Sequence, residues 1–237
     1  MIDAYTHLDV THHDPITELG ARVAAAGVSQ AVVVETWAGT ESRWLDVLSD
    51  TAAPDRRIVR CLRDDARAGR GGGARADGWR VATATLADAR LGPLVIDDVM
   101  EVGGLLMPHA EDGIAALADA LCPLLADRPG IDVWVPHLAW PWVADIASGA
   151  WRQAIARLRD LPNVRLVVSA IPTFSTQPWP HDDVLRLARE AACAFGAPRL
   201  LPGSDFPYCS LDRYADCLRT AAAVIHSAAR DETATKN

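Results

Sequence analysis

Residues 195–207 read Phe-Gly-Ala-Pro-Arg-Leu-Leu-Pro-Gly-Ser-Asp-Phe-Pro, and this stretch is the most informative about the fold class. A helix is predicted to end where this stretch begins, and an apolar strand is predicted over residues 199–205. Gly203 permits a tight exit from the strand and Pro207 ends it, so the Asp205 carboxylate is presented at a strand end. A helix followed by such a strand is typical of βα units around a parallel sheet.

The same alternation of short apolar runs and helical periodicity continues through the rest of the chain. Further strands are predicted at residues 2–8, 31–35, 57–62, 102–107, 131–137 and 164–170. Helices are predicted at residues 14–27, 40–52, 111–126, 142–161, 181–195 and 211–229. Because a closed barrel of this kind needs eight strands, either one more lies within residues 79–86 or one βα unit is degenerate. The prediction is an α/β fold, a single (β/α)8-type TIM barrel that is distorted or has one degenerate βα unit.

Length and charge limit the number of domains and the kinds of partner that the protein can have. The chain has 237 residues, close to the ~250 that such a barrel uses, so we expect one domain over residues 1–230 and a disordered tail over residues 231–237. A formal net charge of -8 disfavours nucleic-acid binding, which normally needs a basic face. No apolar run approaches the ~20 residues of a membrane span. The five cysteines form no CxxC pair, and we expect a cytoplasmic protein with reduced thiols.

The carboxyl ends of parallel barrel strands gather at one face, where active sites of this architecture lie. His7, His137 and Asp205 each end a predicted strand, and a carboxylate near two imidazoles can ligate a divalent ion or act as a general base on water. The residues expected to bind substrate on the same face are Tyr5, Trp37, His109, Trp140, Trp179 and Tyr208. Their aromatic character favours an apolar or aromatic small molecule.

Two loops bear on this site. Arg63 is the main candidate for holding a substrate carboxylate, and its isolation disfavours a dicarboxylate substrate. The run Gly71-Gly72-Gly73 indicates a mobile surface loop, and whether it forms a lid is left open.

Four stretches resemble one family. Residues 1–8, Met-Ile-Asp-Ala-Tyr-Thr-His-Leu, resemble the first strand of the amidohydrolase superfamily, whose usual form is Ile-Asp-x-His-x-His. Residues 195–207 resemble the Gly-Ser-Asp-aromatic-Pro segment of its amidohydrolase-related branch. Residues 133–141 are similar to that branch's strand ending in His-Leu-Gly, and residues 161–170 to its Pro-Asn-Val strand. The resemblance implies a distorted TIM barrel acting on small molecules, with metal-dependent hydrolases and decarboxylases and metal-free lactonases among its relatives.

The resemblance also implies roles for individual residues. His7, His137 and Asp205 match positions that bind zinc or a related ion in metal-dependent members. Tyr5 stands where the first histidine would be, and a phenol with a pKa near ~10 is a poor zinc ligand. The three remaining groups could hold one divalent metal with an open position for water. Alternatively, without a metal, Asp205 acts as the base while His7, His137 or Tyr5 stabilises the developing oxyanion.

These observations lead to one principal hypothesis and two alternatives. The principal hypothesis is a small-molecule hydrolase that opens a lactone or ester, with Asp205 as the general base. The alternatives are a metal-dependent decarboxylase or lyase of the same superfamily and a barrel that binds ligands without catalysis. A homodimer formed through helix faces is compatible with the sequence.

Overall fold

A computed structural model describes residues 1–36, 41–50, 56–62, 76–101, 104–110, 112–209 and 211–234. Its strands, all parallel and in chain order, are β1 (Ile2–Thr6), β2 (Gln30–Val34), β3 (Arg56–Cys61), β4 (Gly78–Ala82), β5 (Leu105–His109), β6 (Asp132–Val135), β7 (Val164–Val168) and β8 (Leu200–Pro202). Helices follow most strands, so the predicted TIM-barrel-like α/β fold is confirmed.

The eighth strand lies in the stretch where one was expected. The segment 79–86 divides into β4, which pairs in parallel with both β3 and β5, and the first turns of a short helix. The strand predicted at residues 102–107 lies later in the chain, because β5 ends at His109. His109 is therefore the last residue of a strand and not part of the following loop.

The helices are α1 (Pro15–Ala25), α2 (Ser42–Asp50), α3 (Thr83–Ala87), α4 (Leu91–Glu101), α5 (Ile114–Leu125), α6 (Val143–Ser148), α7 (Ala150–Arg159), α8 (Ile171–Phe174), α9 (Asp182–Phe195) and α10 (Tyr214–Ala234). The Asp14 carboxylate caps α1 by accepting the Thr17 N–H. The single helix predicted over residues 142–161 is two helices, because Gly149 adopts a left-handed conformation with φ of 78° between them. No helix within the described ranges is long and apolar enough to cross a membrane.

Two predicted features lie partly or wholly outside the described residues. The Gly71-Gly72-Gly73 loop is outside them, and so are residues 235–237 of the predicted tail. Helix α10 continues to Ala234, four residues beyond the expected domain boundary at residue 230. The boundary and the disordered tail stay predictions.

The barrel interior is closely packed around one glycine. A Cβ placed on Gly203 would lie 2.8 Å from Val167 Cγ1 and 3.1 Å from the Cβ atoms of both Ser169 and Tyr5. Close packing is the reason for glycine here, because the φ of Gly203 is not in the left-handed region. It lets Tyr5, which is fully buried, sit directly beside the end of β7.

The barrel has one seam, because β8 and β1 do not pair in the sheet that the described strands form. Two backbone hydrogen bonds cross this seam just beyond the end of β8. The Asp205 N–H donates to the Tyr5 carbonyl at 2.9 Å, and the His7 N–H donates to the Phe206 carbonyl at 2.8 Å. They fix His7 and Asp205 at the same height above the barrel.

A buried carboxylate also bridges the seam. Asp3 accepts hydrogen bonds from the Ser204 N–H at 2.9 Å and from the Ser204 hydroxyl at 2.7 Å. Burial raises the pKa of Asp3 to about 6, although these hydrogen bonds act in the opposite direction. A side chain therefore supplies part of the closure that strand pairing supplies elsewhere in the barrel.

Candidate active site

The ends of three strands bring His7, His137 and Asp205 together. Asp205 Oδ1 lies 3.5 Å from His7 Nε2 and 3.9 Å from His137 Nε2, and all three residues are buried. Both separations exceed a normal hydrogen-bond length of about 3 Å. Each group therefore keeps hydrogen-bonding capacity for a reacting molecule placed among them.

His7 is oriented by the end of β2. Its Nδ1 lies 2.6 Å from the Val34 carbonyl oxygen. Because a carbonyl can only accept, Nδ1 must carry the hydrogen, and in the neutral ring Nε2 is then an unprotonated acceptor facing Asp205.

His137 has a different partner and a different tautomer available to it. The Ser169 hydroxyl oxygen lies 3.1 Å from the His137 backbone nitrogen and 3.0 Å from its Nδ1. The hydroxyl accepts the backbone N–H and can donate its own hydrogen to Nδ1, which leaves an N–H at Nε2. Burial lowers the pKa of His137 to about 4, so the ring is neutral near pH 7. His137 can therefore serve as a neutral hydrogen-bond donor where His7 serves as an acceptor.

The backbone around these residues is strained. Residues 137–140 all have positive φ, between 50° and 60°, and Asp205 has φ of 59°. A left-handed conformation costs an L-residue roughly 1–2 kcal/mol, and Ala139 occupies the position of glycine in the family pattern. The Trp151 indole N–H donates to the Leu138 carbonyl at 2.9 Å and helps to hold this turn. The strain is concentrated where the candidate catalytic groups are displayed.

The Tyr5 ring packs against both imidazoles. Its ring meets His7 edge-on at a centroid distance of 5.0 Å and His137 at 4.6 Å. Its buried hydroxyl has no hydrogen-bond partner within the described part of the chain, and burial raises its pKa well above the ordinary value. Tyr5 therefore remains a neutral phenol.

His109 and Trp140 border His137. The Trp140 ring lies 4.9 Å from that of His137 and 5.2 Å from that of His109, both edge-on. Burial, reinforced by the positive charge of Arg80, lowers the pKa of His109 to about 3. His109 is thus a second neutral imidazole at the barrel mouth.

Arg80, in the middle of β4, is a charged site residue that was not predicted. It is buried, and its guanidinium donates to the carbonyls of Glu35 and Thr36 at the end of β2. Its charge also lowers the pKa of His137. Arg63, the cation expected from the sequence, lies outside the described residues. The available signal was an arginine inside the apolar run Trp-Arg-Val-Ala, since arginine is rarely buried without a role.

Aromatic side chains surround the three central groups. Tyr208 meets His7 edge-on at 5.5 Å and is more than half exposed. Phe174 lies 6.3 Å from His137 and 4.9 Å from Trp142. These rings make an apolar rim beside the carboxylate and the imidazoles.

One predicted substrate-binding residue, Trp179, has neighbours other than the three central groups. Trp179 lies beneath the Arg213 guanidinium at 5.0 Å and edge-on to His181 at 5.6 Å, and it packs against the cluster that contains Phe206. Trp37 lies outside the described residues. Substrate contacts of either residue stay predictions.

The donors at this site match zinc in kind but not in arrangement. Two imidazole nitrogens and one carboxylate oxygen are ligands that catalytic zinc accepts. Over the described ranges, however, no three His, Cys, Asp or Glu side chains are grouped so as to hold a metal ion. The described residues as placed do not form a ready metal site.

Two imidazoles and a carboxylate lie at the mouth of a TIM-like barrel, next to aromatic side chains. This arrangement is typical of a class of enzymes that act on small molecules. The family model described as amidohydrolase matches residues 6–236, so the chain belongs to the amidohydrolase family. The match confirms the resemblance found in the four sequence stretches.

A curated relative matches a shorter stretch. L-fucono-1,5-lactonase of Burkholderia ambifaria is 35% identical over 91 residues, which is 37% of this chain and 30% of that protein. The match therefore spans under a third of the relative's length.

Solved structures share the fold over nearly the whole chain. A probable 2-pyrone-4,6-dicarboxylic acid hydrolase from Acinetobacter baumannii with bound citric acid has a TM-score of 0.74 at 16% identity, over 95% of this chain and 92% of that one. An amidohydrolase from Burkholderia multivorans with bound zinc has a TM-score of 0.67 at 20% identity, over 99% and 97%. The 5-carboxyvanillate decarboxylase of Sphingomonas paucimobilis has a TM-score of 0.54 at 13% identity, over 96% and 82%. Identities this low establish the fold alone.

Proposed function

We propose that this protein is a hydrolase that opens a small lactone or ester, with Asp205 as the general base. The observation that carries the proposal is the placement of Asp205 Oδ1 3.5 Å and 3.9 Å from two imidazole nitrogens with different hydrogen-bonding capacities. Family membership and the partial match to a lactonase support the same class of reaction.

The chemistry follows from those capacities. Asp205 removes a proton from a water whose oxygen attacks the carbonyl carbon, while the His137 Nε2–H donates to the developing oxyanion. A neutral imidazole suits this role, and the buried Arg80 cation favours negative charge nearby. Collapse of the tetrahedral intermediate breaks the ring C–O bond, and the proton held by Asp205 passes to the departing alkoxide oxygen. The product is a hydroxy acid, and the carboxylate is regenerated.

The rim indicates the substrate. Trp140, Phe174 and Tyr208 offer flat apolar surfaces next to the reacting groups, which favours an apolar or aromatic lactone. The partial match to L-fucono-1,5-lactonase favours a six-membered lactone ring. Dihydrocoumarin combines both properties and L-fucono-1,5-lactone has only the second, so we expect the first to be the better substrate.

Replacing Asp205 by Asn tests the assignment. We expect kcat on the preferred lactone to fall by about 100-fold or more, with thermal unfolding close to that of the wild type. The matched control is Asp212→Asn, an exposed carboxylate seven residues further on, which should leave kcat unchanged. Full activity in Asp205→Asn would refute the role of Asp205.

The two alternatives give different results in the same experiments. A metal-dependent decarboxylase or lyase, a reaction found in a protein of similar fold, predicts stoichiometric zinc or manganese in unchelated protein and loss of activity on chelation. A barrel that only binds ligands predicts saturable binding across the lactone and ester panel without turnover. Activity that survives chelation would favour the metal-free hydrolase.

A further inference from the structure

We infer that Glu41 acts through the Thr36 hydroxyl as a positioning residue that reinforces the His7 tautomer favoured by the Val34 carbonyl. Thr36 Oγ1 lies 3.1 Å from His7 Nδ1 and 2.8 Å from Glu41 Oε1. Glu41 immediately precedes α2 and is almost fully buried, and neither Glu41 nor Thr36 was among the residues predicted from the sequence. The three side chains form a chain of contacts that ends at Asp205.

The direction of each hydrogen bond follows from its donors and acceptors. Glu41 accepts the Thr36 hydroxyl hydrogen on one carboxylate oxygen and the Thr36 backbone N–H on the other. Burial raises the pKa of Glu41, and the Thr36 hydrogen bonds oppose that rise. Because Glu41 accepts the Thr36 hydroxyl hydrogen, that hydrogen is committed to it. The hydroxyl oxygen can therefore only accept from His7 Nδ1, as the Val34 carbonyl also does. Two acceptors thus require a hydrogen at Nδ1, and in the neutral ring Nε2 then keeps its lone pair.

This tautomer matters for the proposed hydrolysis, on which the catalytic part of the inference rests. His7 Nε2 and Asp205 Oδ1 are then two acceptors 3.5 Å apart with no hydrogen between them. A water can satisfy both by donating one hydrogen to each, and its oxygen lone pair then points away from both, toward an incoming carbonyl carbon. With the hydrogen at Nε2 instead, His7 would donate to Asp205 and compete with the water for the base.

Two substitutions, Glu41→Gln and Thr36→Val, distinguish an effect of Glu41 on the His7 tautomer from a purely structural role of Glu41. In Glu41→Gln the single amide oxygen is taken by the Thr36 N–H, so the amide NH2 donates to the Thr36 hydroxyl and the hydroxyl hydrogen turns toward His7 Nδ1. That reversal opposes the Nδ1–H tautomer. In Thr36→Val there is no hydroxyl to reverse, so Glu41→Gln should have no further effect on His7 in that background.

The readout is the pair of imidazole 15N chemical shifts of His7, measured by NMR in the wild type, both single variants and the double variant. We expect the wild type to show a protonated Nδ1. Glu41→Gln should show a smaller Nδ1–H population and about a 10-fold lower kcat at similar KM. Thr36→Ser keeps the hydroxyl that Thr36→Val removes, so it should show wild-type values. Ser42→Ala is the matched control, because it removes a neighbouring hydroxyl that donates to Glu35 and not toward His7.

Two results would overturn the inference. One is an unchanged His7 tautomer in Glu41→Gln, and the other is an effect of Glu41→Gln that is the same size with and without the Thr36 hydroxyl. The NMR measurement needs no substrate, so a failure of the lactone assay alone would count against the proposed reaction and not against the tautomer assignment.

Discussion

Replacing Gly203 by Ala should destabilise the barrel and disturb the site above it. The new Cβ would lie 2.8 Å from a methyl of the β-branched Val167 and 3.1 Å from two Cβ atoms, those of Ser169 and Tyr5, which are fixed by their strands. None of these atoms is the end of a flexible side chain, so the strands themselves must shift. Overpacking of this kind costs about 2 kcal/mol, which corresponds to a melting temperature lower by about 4–8 °C in a domain of this size.

The same substitution at Gly130 is the control. Its nearest neighbour would be Met100 Cε at 3.9 Å, and its φ is not in the left-handed region, so Gly130→Ala should be neutral or slightly stabilising. Thermal unfolding followed by calorimetry gives the comparison, and kcat on the preferred lactone gives a second readout, since the shifted Ser169 holds His137. If Gly203→Ala melts at the same temperature as Gly130→Ala, the close-packing argument is wrong.

Two further predictions concern pH. The pKa of Asp3 rises from 3.8 when unfolded to about 6 when folded, so its contribution to stability is present below about pH 4 and is lost as the pH rises through 6. We therefore expect the free energy of unfolding of Asp3→Asn, measured in urea, to rise by up to about 3 kcal/mol relative to that of the wild type between pH 4 and 7.5. A difference between the two proteins that does not change with pH would contradict the assignment. His109 behaves oppositely: its pKa falls from 6.5 to about 3, so stability present above pH 6.5 is lost as the pH falls toward 3. His109→Gln should lose less stability than the wild type over that range, and equal losses would show that His109 does not titrate in this way.

The strand ends were predictable because hydrophobic runs and family motifs mark them directly. His7, His137 and Asp205 each follow such a run, and parallel topology alone brings them to one face. Arg80 was not predicted because it lies inside a strand. Which side chains of a strand face the barrel mouth depends on the register between strands, and this register is set by tertiary packing that a single sequence does not display.

The backbone conformation of residues 137–140 could not be predicted from the sequence either. Four consecutive non-glycine residues with positive φ contradict every local preference, so the tertiary structure must impose them. The roles of Thr36 and Glu41 also depend on tertiary structure. A hydroxyl and a carboxylate five residues apart form this hydrogen bond only when the residue before α2 lies against the residues after β2.

The seam between β8 and β1 has a consequence for the order of folding. Asp3 and Ser204, which hold it, are separated by 201 residues, and His7 and Asp205 lie nearly as far apart along the chain. Contacts of such long range form late, because the entropy of closing the whole loop must be overcome first. A nascent chain lacking β8 carries both histidines without their carboxylate, so we expect it to acquire catalytic competence in the same event that closes the barrel.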